Sequence, residues 1–267
     1  MKQALILAAG RGTRLGEGVP KCLVKVGDRA LIHHQLAALH GAGIEDVCVV
    51  VGYGAERVRA AVGERCHYIE NPRFAETNSL YSLWLAREWV RGPFLQLNCD
   101  LIAHPRVYQR LLAAGGSALA YDSDSGDGEE HMKVAVRRGL LQDIGKQLDP
   151  ARSCGENLGL LKYDGDAARL LFEEAGALIA AGGEQCWSPA AMARLAQRVP
   201  VHCIDMAGLP WAEIDFLEDV LYAMCEVLPE LGTRGRGEEG DRRGLPGPCA
   251  HVMQVLSSMG GIYEFLC

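Results

Sequence analysis

Over its first hundred residues the chain alternates short apolar runs with helix-spaced segments, and few folds can accept that pattern. Ala4–Ala8 is an apolar run closed by Gly10, and Asp46–Val51 is a continuous valine-rich run of the kind buried on both faces of a sheet. Between them Leu31–Ala42 carries apolar residues at helical spacing and stops at Gly43. Ala55–Val62 predicts a second helix, His67–Ile69 a short strand, Ser79–Val90 a third helix and Phe94–Leu97 a strand running into Asn98-Cys99-Asp100. Regular βαβ alternation implies an α/β, doubly wound, mostly parallel sheet with crossover helices on both faces. Such sheets bind ligands at the carboxyl ends of their strands, where the strand order reverses. Both the Gly10–Gly16 loop and Asp100 follow strands, so they can meet there.

The middle of the chain has a different pattern. Asp122–Glu130 is polar and turn-rich, Lys133–Val136 and Leu140–Ile144 form a hairpin pattern around Arg137-Arg138-Gly139, and Leu158–Leu161 predicts one more strand. Residues 121–163 are therefore expected as a small β-hairpin or lid insertion on the substrate side of a domain spanning 1–231. Ala167–Ala181 returns to helical spacing, and Pro210–Tyr222 runs from a loop into a helix. After Leu231 the composition turns Gly- and charge-rich, so 232–267 is expected as a flexible tail.

The net charge of −7 over 267 residues excludes the basic footprint of a nucleic-acid binder. An acidic chain that handled a nucleotide would have to supply local cations, either side chains or metal. No apolar stretch is long enough to span a membrane, and the short apolar N-terminus runs at once into Arg11 and Arg14, which points to a cytoplasmic protein. Its ten cysteines show no Cys-x-x-Cys pair and no zinc-like spacing, and are expected as small buried side chains.

The first loop reads Leu7-Ala8-Ala9-Gly10-Arg11-Gly12-Thr13-Arg14-Leu15-Gly16. Glycines directly after a buried strand let the backbone approach a polyphosphate. No Gly-x-x-x-x-Gly-Lys-Ser/Thr occurs, and the second strand ends Val50-Val51-Gly52-Tyr53 with no acid for a ribose, so neither a P-loop nor a dinucleotide fingerprint fits. The loop, together with Val19-Pro20-Lys21-Cys22-Leu23, resembles the signature of the nucleotidyltransferase superfamily that makes nucleotide-sugars and CDP-alcohols. That resemblance covers about Met1 to Leu228 and implies a Rossmann-like nucleotidyltransferase fold. It implies further that the backbone of Leu7 to Thr13 wraps a triphosphate while Arg14 and Lys21 neutralise the departing pyrophosphate.

Asn71-Pro72-Arg73-Phe74-Ala75-Glu76-Thr77-Asn78-Ser79-Leu80-Tyr81-Ser82-Leu83 is similar to the matching stretch of the phosphocholine and 2-aminoethylphosphonate cytidylyltransferases. The similarity implies CTP as the nucleotide, with Asn78 and Ser79 at a helix start, where they can cap the helix, bond a base edge, or do both. It also places Asp100 and Asp215 on the family's metal-binding aspartates, with Glu213 beside them, and implies Mg²⁺. If Trp211–Phe216 is extended, Glu213 and Asp215 share one face and Ile214 points into the core.

On the acceptor side, Lys133, Lys146 and Glu156 match positions of these relatives, and Trp187 falls near a family aromatic pair that is followed by an acid. Here the sequence is Cys186-Trp187-Ser188-Pro189, so the acid is missing unless Glu156 or Glu184 replaces it. The expected partners are CTP and a small phosphorylated or phosphonylated acceptor, with no nucleic acid and no membrane; a homodimer stays open. Two other readings stand beside this one: a sugar- or inositol-1-phosphate nucleotidyltransferase using another nucleotide, and a non-catalytic nucleotide-sensing module.

Overall fold

The computed structural model describes residues 1–15, 18–126, 128 and 130–231. The tail expected over 232–267 lies outside the described residues. Strands β1 (Gln3–Ala8), β2 (Lys25–Val26) and β3 (Arg29–Ala30) are followed by helix α1 (Leu31–Gly41), β4 (Asp46–Val51), α2 (Ala55–Val62) and β5 (His67–Glu70). Next come α3 (Ser79–Leu85), β6 (Phe94–Asn98), β7 (Leu101–Ala103), α4 (Pro105–Ala113) and β8 (Ser117–Asp122). The remaining elements are β9 (Lys133–Arg137), β10 (Leu140–Gly145), β11 (Glu156–Tyr163), α5 (Gly165–Ala180), α6 (Pro189–Leu195), β12 (Val201–Asp205), β13 (Trp211–Glu213) and α7 (Leu217–Tyr222).

Among the described residues, nine strands form the central sheet in the order β5-β4-β1-β6-β11-β8-β12-β10-β9. β1 pairs in parallel with both β4 and β6, and β4 with β5, which is the expected doubly wound half. The expectation of a mostly parallel sheet does not extend further. β11 runs antiparallel to β6 and to β8, β10 runs antiparallel to β9 and β12, and only β12 and β8 restore a parallel pair. The sheet is mixed because β11 enters its centre antiparallel to both flanking strands, and β9 and β10 join the far edge as a hairpin.

The hairpin expected over Lys133–Ile144 is present. Arg138 and Gly139 both take positive φ, 54° and 75°, as a two-residue turn matched to strand twist demands. It is no detached insertion, because it closes the far edge of the central sheet through β12 and a further pairing of β9 with β11.

Apolar side chains fill both faces of the sheet. One core gathers Ile6, Val49 and Leu97 with Ile32 and Leu39 of α1, Val58 of α2 and Tyr108 of α4. The other joins Leu5, Phe94 and Tyr163 to Leu83 of α3, Leu171 of α5 and Met192 of α6. A third, smaller cluster places Ile102, Ala212, Ile214 and Val220 beneath the β7–β13 pair. Among the cysteines, Cys22, Cys48, Cys99 and Cys203 are buried as expected, whereas Cys154 is exposed. No helix among the described residues is long and apolar enough to cross a membrane.

Gly159 marks a tight passage in β11, with φ +73°, where an added Cβ would lie 2.6 Å from Asn98 Nδ2. Gly159→Ala therefore combines a left-handed backbone with a steric clash, and is expected to cost about 1–3 kcal/mol of stability. Urea unfolding checks this; an unchanged midpoint would contradict the fit of β11 against β6.

Candidate active site

β1 is flanked by β4 on one side and β6 on the other, so the chain leaves its carboxyl edge at a topological switch point. Three segments converge there: the glycine loop after β1, the Cys99-Asp100 turn after β6, and the Glu213–Asp215 stretch of and after β13. Two backbone links set the last two side by side. β13 pairs antiparallel with β7, Glu213 opposite Leu101, and the Ile214 amide donates to the Asp100 carbonyl at 3.0 Å. Glu213 and Asp215 consequently project together while Ile214 is fully buried, as the extended alternation predicted.

Oxygens of Asp100, Glu213 and Asp215 lie within 4.8 Å of one another. The Lys21 ammonium sits among them, donating to Asp100 Oδ2 at 2.5 Å and also to Asp215 Oδ1. Burial alone would lower the Lys21 pKa, but the Asp100 and Asp215 carboxylates outweigh it and hold the ammonium protonated far above the ordinary range. Glu213 has no such partner; burial and then the nearby Asp100 charge push its carboxyl up to about 8. Asp100 Oδ1 is buried and accepts no hydrogen bond. Three carboxylates with an unused buried oxygen, around a point already occupied by a cation, form the hard oxygen donor set that suits a divalent ion such as Mg²⁺. The residues fit such an ion.

The acids line a cleft of about 520 Å³. Gly12, Arg14 and Lys21 line it from the glycine loop, and Asn98, Asp100, Glu213 and Asp215 from the sheet edge. Glu130, His131, Met132, Lys146, Glu156 and Asn157 come from the hairpin region, and Ser79, Trp187 and Ser188 from the α3–α6 side. Arg14 reaches Asp215 at 3.2 Å and Glu130 at 3.4 Å, and Lys146 reaches the same Glu130 oxygen at 3.0 Å. This chain of ions crosses from the glycine loop to the hairpin. Its members are partly exposed, Glu130 the most, so the chain is weak and open to exchange for a ligand's charges.

Gly12 is held at φ +63°, and a Cβ there would meet Lys21 Cβ at 2.8 Å, so glycine lets the loop lie directly on Lys21. Leu7, Ala8 and Ala9 are buried at the end of β1 and Gly10 is exposed. Arg11 turns away from the cleft, its guanidinium 5.6 Å from the Phe74 ring centre and 6.0 Å from that of Tyr53. Thr13 opens a 3₁₀ turn ending at Leu15. Asn78 takes the capping position of α3, accepting from the Ser79 amide at 2.8 Å, while Ser79 lines the cleft and its Oγ accepts from the Ser188 amide at 2.7 Å.

The acceptor-side candidates separate. Lys146 lies in the cleft with its ammonium 5.2 Å from the Trp187 ring centre. Lys133 does not line the cleft; it is buried in β9, its Nζ donating to the Lys146 carbonyl at 3.4 Å. Glu184 is bound by both Nη groups of Arg73, at 2.6 and 3.0 Å, and does not line the cleft. Glu156 does line it, so of the two acids able to replace the missing one near Trp187, the fold presents Glu156.

Burial, and then the Asp122 charge, raise the Glu156 carboxyl to about 7. His131 Nδ1 stands 3.3 Å from Glu156 Oε2 without hydrogen-bond alignment, and Asn157 Oδ1 is buried with no partner. Sequence reasoning missed Glu130 and His131, which sit on a polar loop, and Asn157, which occupies a variable position of the Gly-Glu-x-x-Gly stretch that drew attention to Glu156. It also missed Asp219, whose Oδ2 accepts from the amides of Asp215 and Phe216 at 2.8 and 2.7 Å and so fixes the Asp215 turn. An acid four residues beyond Asp215, in the first turn of a helix, was a readable signal for that role.

The MobA-like NTP transferase domain family matches residues 4–159. CMP-5'-(3-aminopropyl)phosphonate synthase of Streptomyces rubellomurinus is 40% identical over 120 residues, 42% of this chain and 19% of that protein. The bifunctional IPC transferase and DIPP synthase of Rubrobacter xylanophilus is 31% identical over 246 residues, 89% of this chain and 54% of that one. The chain thus spans about half, or less, of the length of these curated relatives. The inositol-1-phosphate CTP transferase of T. maritima superposes with a TM-score of 0.72 at 21% identity, over 86% of this chain and 96% of that one, and so shares the fold.

Because the raised Glu156 carboxyl keeps its proton in the folded protein between its ordinary 4.5 and about 7, stability should fall as pH rises through that window. Above it the penalty of a buried charge is fully present. Glu156→Gln removes the penalty, and at pH 8 should be more stable than wild type by roughly 3 kcal/mol, with the curves meeting near pH 4. Chemical denaturation at both pH values checks this, and a pH-independent difference would contradict it.

Proposed function

Since the chain belongs to the MobA-like NTP transferase domain family, we propose that it is a Mg²⁺- and CTP-dependent cytidylyltransferase. It would transfer CMP to a small phosphonate or phospho-alcohol or phospho-amine, of the 2-aminoethylphosphonate or phosphocholine type, and release pyrophosphate. The observation that carries this reading is the cluster of Asp100, Glu213 and Asp215 around Lys21, at the mouth of the glycine loop. A nucleotide-sensing module has no need of three carboxylates forced together beside a buried lysine.

In this reading an oxygen of the acceptor's phosphate or phosphonate attacks the α-phosphorus of CTP. A new P–O–P bond forms, the α–β bond breaks, and its electron pair leaves with pyrophosphate. No side-chain nucleophile is required, so the protein's task is to hold two anions in line against their repulsion. A magnesium ion held by Asp100, Asp215 and Glu213 would supply withdrawal of charge from phosphate oxygens. The loop backbone around Gly12 receives the triphosphate, and Arg14 and Lys21 receive the charge that grows on the leaving group. Asn78 and Ser79 border the nucleoside, while Lys146, Glu156 and Trp187 border the acceptor. Lys133, buried behind Lys146, supports that wall without touching the acceptor.

Cytosine selectivity rests on the Thr77–Leu83 similarity, and it is supported by relatives whose names specify CMP or CTP chemistry. The inositol-1-phosphate CTP transferase of T. maritima, which superposes on most of this chain, keeps an inositol-1-phosphate acceptor as the second reading.

Pyrophosphate release with CTP, UTP, dTTP and ATP, against phosphocholine, aminoalkylphosphonates, inositol-1-phosphate and hexose-1-phosphates, tests both readings. Turnover with CTP and an amine-bearing acceptor is expected, and turnover confined to UTP or dTTP with a hexose phosphate would overturn the proposal. Asp100→Ala and Asp215→Ala should each abolish turnover with the fold intact by circular dichroism. Activity retained in either would remove it from the metal set. Arg14→Ala should lower kcat by about 10²–10³-fold, and a change confined to acceptor KM would contradict its place on the triphosphate.

A further inference from the structure

Asp100 stands on a two-residue turn, Cys99-Asp100, between the end of β6 at Asn98 and the start of β7 at Leu101. The carbonyls on either side of that turn accept from a single side-chain nitrogen. Gln35 Nε2 donates to Asn98 O at 2.7 Å and to Leu101 O at 2.9 Å. Gln35 lies in the middle of α1, is 1% exposed, and does not line the cleft. Because both partners are carbonyl oxygens, only the amide nitrogen can face them, so the orientation of the carboxamide is fixed by chemistry. Its Oε1 then points into protein and accepts nothing. A buried unpartnered amide oxygen costs about 1–3 kcal/mol, a burden no apolar residue would carry at this place in α1. What the glutamine provides in return is a clamp across the base of the Asp100 turn. The turn is held from its other side as well, by the Ile214 amide on the Asp100 carbonyl.

We infer that Gln35 is a positioning residue, which sets the Asp100 carboxylate at its working place in the acid cluster by clamping the turn that carries it. The inference rests on the proposed reading of Asp100 as a metal ligand. With the clamp removed, the Ile214 link still keeps the turn folded, but one of its two anchors is lost and the carboxylate no longer has a single direction. Partners that orient metal ligands typically change affinity or activity by about 10–100-fold when removed. The loss should therefore appear in divalent-ion affinity and in kcat, and leave nucleotide affinity almost unchanged.

The experiment compares wild type with Gln35→Met, which keeps the length and loses both donors. Gln35→Glu keeps the shape and serves in its place should the methionine variant fail to fold. Mn²⁺ binding by electron paramagnetic resonance in the presence of α,β-methylene-CTP is expected to weaken about tenfold, with kcat down about 10–100-fold and KM for CTP within about twofold. A lowered melting temperature with unchanged Mn²⁺ affinity and unchanged kcat would overturn the inference, because it would leave Gln35 a purely structural role. Amide hydrogen exchange of Cys99–Leu101 in the metal-free protein gives a reading that does not depend on the enzyme's function. Faster exchange in the variant supports the clamp, and unchanged exchange overturns it. Asp100→Ala serves as the control: if it binds Mn²⁺ as wild type does, the metal reading has failed, and the exchange measurement still decides whether Gln35 clamps the turn.

Discussion

Three carboxylates with oxygens inside 4.8 Å of one another cannot all ionise in a half-buried cleft without a cation between them. At about 4 Å, and an effective dielectric constant near 20, each like-charged pair repels by roughly 4 kcal/mol. Lys21 meets this constraint in the ligand-free protein by lying on Asp100 and Asp215, and Glu213, left without a partner, yields by holding its proton. The rest of the site is arranged around that centre. Gly12 must lack a Cβ so that the loop can rest on Lys21, and Arg14 adds a second cation to Asp215. A divalent ion would satisfy the acids better than one ammonium does, and would free Lys21 to face a phosphate.

So strained a cluster persists only because its backbone is fixed at several points. The β7–β13 ladder sets Glu213 beside Leu101, the Ile214 amide binds the Asp100 carbonyl, Gln35 grips both ends of the Asp100 turn, and Asp219 holds the amides of Asp215 and Phe216. Most of these links are buried or half-buried, the Phe216 bond being exposed, and they stand over the apolar cluster of Ile102, Ala212, Ile214 and Val220. The free energy that drives these acids together comes from packing beneath them, since their own electrostatics oppose the arrangement.

The acceptor wall is built differently. Asn157 Oδ1 and His131 Nδ1 lack hydrogen-bond partners there, and Glu130 is held by partly exposed ion pairs to Lys146 and Arg14. This wall is held by fewer and more exposed contacts than the acid cluster, whose backbone is fixed by several hydrogen bonds.

The sequence by itself determined the βαβ half of the sheet, the hairpin, the glycine loop, and the likeness to nucleotidyltransferases through Leu7–Leu15 and Thr77–Leu83. These are legible because they depend on local periodicity, on turn chemistry and on contiguous motifs. Only the tertiary structure decided the direction of β11, since a strand buried along its whole length reads the same in either sense. Tertiary structure alone also separated Lys146 from Lys133 and Glu156 from Glu184, and showed Gln35 behind Asp100. Their roles depend on which partner arrives from 13 to 111 residues away along the chain, and side-chain type carries no record of that distance. Sequence periodicity specifies which face of an element is buried; contacts between distant segments exist only once the chain has folded, and these set the electrostatics of the site.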